Sequence, residues 1–255
     1  MPKIAETAPN ILRLVGDDVR WQLVRTLAAS DHRVSELVDE VGLPQNLVSY
    51  HLRLLKRGDL VRERRSSADG RDVYYHLDLD RLDRGLTESA NALRRSVGGS
   101  AASRPGDEIR RSRRPRVLFI CTGNSARSQI AEAMLRSALG SEADVRSAGP
   151  QPTIVHPLAL EVLRERGIDV AGLHSKALDE VHGIDFDLVI TLCDKARENC
   201  PADKYGVRVA HWSLADPSEA KGSLTAKRRA FQATADEIDS RIRQLIPVLR
   251  TQREV

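Results

Sequence analysis

The chain has 255 residues, 41% of them apolar, 30% charged and 4% aromatic, with a formal net charge of +4 at pH 7. That length exceeds one average domain, so two domains are expected, with cores built from Val, Leu, Ile and Ala rather than from rings. No stretch approaches the roughly 18 uninterrupted apolar residues of a membrane span, and the opening MPKIAETAPN lacks the apolar core of a signal peptide, so a cytoplasmic protein with no membrane partner is expected.

Taken in chain order, DDVRWQLVRTLAA from Asp17 spaces its apolar residues as a helix does, with Asp17 and Asp18 at the N-terminal end that favours carboxylates. VSELVDEV follows from Val34, then GLP at 42–44, then QNLVSYHLRLLKRGDLV from Gln45; two short amphipathic helices across a tight turn read as helix-turn-helix. VRERRSSADGRDVYYHL, 61–77, carries strand formers at its ends and SADG between them, a hairpin that would form a wing. Helical spacing resumes over 80–96. The stretch 98–116, GGSAASRPGDEIRRSRRPR, shows neither period, so a basic flexible linker is placed at 98–115, between a first domain at 1–97 and a second at 116–255. Six arginines in 101–116 face only Asp107 and Glu108; a solvated linker is the first reading and contact with nucleic acid the second.

Beyond the linker, VLFI (Val117 to Ile120) precedes a helix over 127–139, DVRSAG a helix around 157–166, DLVITL (187–192) a short helix, and VRVAHW (207–212) a long helix over about 225–250. Strands alternating with helices predict an α/β domain with a small four-stranded parallel sheet flanked by helices.

Between Arg53 and Arg71 stand Arg53, Lys56, Arg57, Arg62, Arg64, Arg65 and Arg71 against Asp59, Glu63 and Asp69. On the end of a second helix and on a wing, such residues are placed to meet phosphates. Gln45, Asn46, Ser49, Tyr50 and Arg53 lie on the start and outer side of that helix, within reach of base edges in a major groove. His51 reads as a packed or solvated residue, and a protein-interaction or dimerisation role for the whole domain is the alternative. The run RVSELVDEVGLPQNLVSYHLRLLKRGDLV resembles the ArsR family of small dimeric metal-responsive repressors over about 10–95. The resemblance implies an operator of double-stranded DNA and a homodimer formed through the helices at roughly 17–29 and 80–96. Arsenic-sensing members commonly carry Cys-x-Cys in the first helix of the motif; RVSELVDE has none, so any arsenic sensing here needs another route.

The three cysteines, Cys121, Cys193 and Cys200, all fall in the second half. Without an export signal they suit packing, metal ligation or redox catalysis better than a disulfide framework. CTGNSARS, 121–128, fits Cys-x5-Arg-Ser at a strand-to-helix junction. Thr122, Gly123, Asn124, Ser125 and Ala126 can curl so that backbone N–H groups converge, and the following helix adds its positive end. Such a nest binds a tetrahedral oxyanion and stabilises a Cys121 thiolate. Arg127 would clamp the anion and Ser128 donate to the thiolate. A buried core cysteine beside a turn is the plain alternative.

This loop and the alternation around it resemble the low-molecular-weight protein tyrosine phosphatase superfamily. Two activities share that fold: a phosphatase working through a phosphocysteine, and the thioredoxin-coupled arsenate reductase branch. VITLCDKARENCP sets Cys193 and Cys200 as that branch does, and not at Zn-type Cys-x2-Cys spacing. ADPSEAKG supplies Asp216 and Pro217 at the family's general-acid position, followed by Ser218 and Glu219 where the tyrosine phosphatases usually carry aromatic residues. The resemblance therefore implies an arsenate reductase: Cys121 attacks arsenate, Asp216 assists loss of water, Cys193 displaces arsenite by forming a disulfide with Cys121, Cys200 takes over that disulfide, and thioredoxin reduces it from outside. No bound cofactor is expected. Some relatives bind potassium beside the loop through residues matching Asn124, Glu132 and Ser147 plus an acidic residue; here Lys176 stands at that last position, and an ammonium paired with Glu132 would replace the ion. The rival readings are a phosphotyrosine phosphatase and a thiol-based arsenic or redox sensor that represses transcription.

Overall fold

The computed structural model describes residues 9–96, 114–199, 205 and 208–251, and the chain divides into two compact units. The first begins with α1 (Asn10–Val15) and α2 (Asp18–Ala29). The Asp17 carboxylate caps α2 by accepting from the Arg20 N–H at 3.0 Å. A two-residue strand β1 (His32–Arg33) leads into α3 (Val34–Val41), whose end falls at Gly42 with φ +67°, the left-handed conformation that a side chain resists. The turn delivers α4 (Gln45–Arg57), the second helix of the motif. β2 (Val61–Arg65) and β3 (Val73–Leu77) then pair antiparallel from Val61↔Leu77 to Arg65↔Val73, and α5 (Leu79–Ser96) closes the unit.

Apolar positions of these helices meet in one core that includes Leu23, Leu27, Leu37, Val48, Leu52 and Leu55. Helix-turn-helix and wing are therefore as the sequence predicted. Two elements were not: α1, too short to show a period, and β1, whose two residues pair with Tyr75 and Tyr74 of β3. Of the expected linker at 98–115, only Arg114 and Pro115 lie within the described residues.

The second unit comprises β4 (Arg116–Ile120), α6 (Arg127–Leu139), β5 (Asp144–Ala148), α7 (Pro157–Glu165), β6 (Leu188–Thr191), α8 (Asp194–Asn199), β7 (Val209–His211) and α9 (Leu224–Thr251). The four strands are parallel in the order β5-β4-β6-β7. Val117, Leu118, Phe119 and Ile120 are all fully buried, so β4 is covered on both faces, which is why it reads as a continuous apolar run. The connection from β4 goes to β5 on one side, and the chain later returns to β6 on the other. The carboxyl end of β4 is thus the point where strand order reverses, the place where open α/β sheets bind ligands. Cys121 is the next residue.

Candidate active site

The loop 121–126 hangs between β4 and α6, and its shape is set by what its carbonyls bond. Thr122 O accepts from Gln151 N at 3.0 Å, Gly123 O from Thr153 N at 3.0 Å and Ser125 O from His156 N at 2.9 Å. Asn124 O accepts from Ser175 Oγ at 2.7 Å and from Gln129 Nε2 at 3.2 Å. A planar peptide points its N–H opposite to its C=O, so carbonyls fixed outward turn the following N–H groups inward. They face a cavity lined by Cys121, Thr122, Gly123, Ser125, Ala126 and Arg127, with Cys193 and Asp216 in the same lining. Inward N–H groups of this kind are what the oxyanion nest expected from the sequence would need.

Asn124 is the loop member that does not line the cavity. It is fully buried at φ +43°, and its side chain braces the loop from behind. Asn124 Oδ1 accepts from Lys176 N at 2.7 Å and Gln129 Nε2 at 2.8 Å; Nδ2 donates to Ser128 Oγ and Ser147 Oγ, each at 2.8 Å. Because Ser128 Oγ accepts from Asn124, its own proton is left for Cys121 Sγ, 3.0 Å away. Ser147 passes its proton on to Glu132 Oε2. Glu132 also pairs with Arg136 and with Lys176 Nζ, the latter at 3.1 Å. The expected Lys176–Glu132 pair is present, and with an ammonium at that point the residues do not fit an alkali cation.

Arg127 is 6% exposed. Nη1 donates to Leu214 O at 3.1 Å and Nη2 to Asp216 Oδ2 at 2.5 Å, while the buried Nε–H has no partner among the described residues. A desolvated guanidinium donor aimed at nothing is costly unless a ligand supplies the acceptor. The other Asp216 oxygen accepts from Ser218 N at 3.0 Å and Ser218 Oγ at 2.6 Å. The acid expected from Asp216-Pro217 is thus held beside Arg127.

Cys193, at the end of β6, is 1% exposed; its Sγ lies 3.3 Å from Thr122 Oγ1 and accepts from Ala196 N at 3.4 Å. Burial pushes the Cys193 thiol above its ordinary range, while Arg127 and the Thr122 hydroxyl pull it down. The structure therefore brings Cys121, Arg127, Ser128, Cys193 and Asp216 together. Cys200 lies outside the described residues.

Sequence reasoning missed several participants. Gly149 follows β5 so closely behind the loop that a Cβ there would lie 2.4 Å from Cys121 O and 2.7 Å from Thr122 O; a glycine ending a strand was its only signal. His156 lines the cavity, caps α7 by accepting from Leu158 N at 3.2 Å, and stacks on Phe231 with ring centroids 4.5 Å apart. Burial lowers the His156 pKa, so the ring is a neutral wall rather than a second cation. Thr122, read only as part of the nest, also touches the second thiol.

In the first unit, Gln45, Asn46, Tyr50 and Arg53 are exposed on α4 and Ser49 is half-buried beside them. His51 is buried, with Nδ1 3.4 Å from Asp17 Oδ1. Arg62, Arg65 and Arg71 are exposed and Arg64 half-buried. Arg62 pairs with Asp78 at 2.6 Å, Arg71 with Asp69 at 2.7 Å and Lys56 with Glu63 at 2.5 Å, so part of the basic surface carries its own counter-charge.

Residues 116–255 match the low molecular weight phosphotyrosine protein phosphatase family, and residues 17–63 the arsR family of bacterial regulatory proteins. An arsenate reductase of Bacillus licheniformis is 41% identical over 128 residues, 50% of this chain and 92% of that relative. One from Bacillus subtilis is 38% identical over 128 residues, again 50% of this chain and 92% of the relative. Among solved structures, a thioredoxin-dependent arsenate reductase of Corynebacterium glutamicum is 27% identical, covering 90% of this chain and 98% of its own at a TM-score of 0.43.

Proposed function

Since the chain belongs, over residues 116–255, to the low molecular weight phosphotyrosine protein phosphatase family, we propose that its second unit reduces arsenate to arsenite with its own thiols, and that the first unit, with its arsR-family match, binds DNA. The observation that carries the choice of chemistry is the second thiol: Cys193 lines the same cavity as Cys121 and touches the oxyanion loop through Thr122 at 3.3 Å. Hydrolysis of a phosphate ester needs one nucleophilic thiol and has no use for another. The two relatives at about 40% identity are arsenate reductases over nearly their whole length, which supports the same reading.

The residues then act in sequence. Arsenate enters the nest and takes the inward N–H groups and the Arg127 Nε–H. Its charge competes with the Asp216 carboxylate for the guanidinium, and Asp216 becomes the group that protonates the departing oxygen. Cys121 attacks arsenic; the S–As bond forms and that oxygen leaves as water. Cys193 next attacks Cys121 Sγ. The S–S bond forms, the S–As bond breaks with its electron pair left on arsenic, and arsenic(V) leaves as arsenite, arsenic(III), which also takes the Cys193 proton. Cys200 then attacks Cys193 and frees Cys121, and thioredoxin reduces the resulting disulfide.

Thiol counting tests this directly. With arsenate and no reductant, each chain should lose two titratable thiols and release one arsenite, whereas Cys193→Ser should lose none; arsenate-independent thiol loss, or none in the parent, would contradict it.

For the first unit, the exposed side chains of α4 and the basic wing support binding of a duplex operator, as a homodimer in the manner of the family. A gel shift with the intact protein tests it. Affinity should fall steeply with salt, as expected when phosphates are neutralised, and Arg53→Ala should weaken it; salt-independent retention or no binding at low salt would leave a dimerisation module instead.

A further inference from the structure

Resting on that reading of the second unit, we propose that the buried Asp194–His211 pair is a positioning device for Cys193, pinning the first residue of α8 so that the second thiol stays against the oxyanion loop. Asp194 and His211 are both 0% exposed, and Thr191 and Ser213 around them 1%. His211 Nδ1 lies 3.1 Å from Thr191 O and 2.9 Å from Thr191 Oγ1. The carbonyl can only accept, and the Thr191 hydroxyl donates to Ala210 O at 3.4 Å. Nδ1 therefore carries a proton. Nε2 faces Asp194 Oδ1 at 3.1 Å, and Ser213 Oγ donates to the same oxygen at 2.8 Å. The result is a charge-assisted bond in a fully buried site, from a carboxylate adjacent to Cys193 to a ring on the end of β7.

The position of this pair is what gives it a function. Thr191, the last residue of β6, precedes Cys193 by two residues, and Ser213 precedes Asp216 by three. One buried carboxylate thus ties together the strand that ends in the second thiol, the neighbouring strand and the segment that leads to the general acid. A carboxylate this deeply buried is costly, and an apolar pair of similar volume would serve stability as well. The second thiol, however, must reach Cys121 Sγ along the S–As axis, and a displacement of about 1 Å there costs on the order of 100-fold in rate. Apart from the Thr122 contact, the bonds that Cys193 makes, from Ala196 N at 3.4 Å and from Arg197 N to its carbonyl at 3.0 Å, belong to the first turn of α8 and move with it. Asp194 fixes that turn from outside the helix.

The test uses the full chain carrying Cys200→Ser, in which the Cys121–Cys193 disulfide accumulates after arsenate is added. Disulfide formation is followed by rapid quench and mass spectrometry as arsenate is varied. In parallel, protection of Cys121 from iodoacetamide by inorganic phosphate reports the nest. Adding Asp194→Asn should lower the maximal rate about 10- to 100-fold, with half-saturating arsenate and phosphate protection each within about twofold of the parent. His211→Gln, which keeps one donor toward Asp194, should fall between the two; it decides by the same criteria if Asp194→Asn does not fold. Unchanged rates, or rate and phosphate protection lost together, would overturn the positioning role. No disulfide in the Cys200→Ser parent would overturn the reductase reading and this inference with it.

Discussion

At the Arg127–Asp216 contact the groups proposed as anion clamp and proton donor occupy each other. Asp216→Asn should therefore lower the rate of arsenate reduction about 100- to 10,000-fold, the usual worth of a general acid, while arsenate binds no less tightly, because Arg127 loses a competitor. Steady-state kcat and a phosphate-protection titration separate the two effects; a weaker affinity would mean that Asp216 holds Arg127 in shape and does little else. Lys176 answers to stability instead. Lys176→Met leaves buried Glu132 with Arg136 as its remaining cation, so the loss should be about 2 kcal/mol, below the roughly 3–5 of a wholly orphaned buried charge, read from urea unfolding. Replacing sodium by potassium should leave kcat/KM of the parent unchanged within twofold. Gly149→Ala, whose Cβ would sit 2.4 Å from Cys121 O, should abolish phosphate protection of Cys121 although it touches no ligand. The residues proposed to do the chemistry were legible because Cys-x5-Arg-Ser and Asp-Pro are local patterns. Gly149, Asn124's brace and the Asp194–His211 pair were not, because their partners lie far along the chain and only the fold joins them.

Elements followed their periods where they were long enough to have one. The helices at 34–41, 45–57 and 127–139, and the strand at 116–120, fall where spacing and flanking residues put them, the strand starting one residue earlier than expected. α1 and β1 escaped because six and two residues carry no readable period. The cap of α2 belongs to this scale. Asp17 accepts from the Arg20 N–H, and that bond, ahead of the charges of Arg20 and His51, holds its carboxyl below the ordinary range. A carboxylate with a lowered folded-state pKa stabilises above its unfolded value, near 3.9, and loses that contribution as pH falls through the lower folded value. Asp17→Ala should cost about 1 kcal/mol at neutral pH and less in acid below that range; a cost independent of pH would assign the loss to packing of α2. In the second unit Cys193 stands directly before α8. Burial raises the Cys193 thiol, so its alkylation in the full chain should be slow at neutral pH and accelerate with an inflection above that of a free cysteine, near 8.5.

For the whole molecule, the chain couples two recognisable units, an arsR-type helix-turn-helix and a low molecular weight phosphatase-type fold whose cavity holds two thiols. Charge on a helix-turn-helix and its wing pointed to nucleic acid for the first, and the spacing of Cys193 and Cys200, with no aromatic residue after Asp216-Pro217, pointed to the proposed chemistry of the second. The oxyanion nest alone suits phosphate and arsenate equally. Among the described residues the choice rests on Cys193 standing 3.3 Å from Thr122. Turnover with arsenate, thioredoxin, thioredoxin reductase and NADPH, compared between the parent chain and Cys193→Ser, is the most direct measurement of that claim. Arsenate-dependent NADPH oxidation in the parent and its loss in Cys193→Ser, with phosphate still protecting Cys121, is the predicted result. An arsenate-inert parent whose hydrolysis of an aryl phosphate is untouched by Cys193→Ser would contradict it.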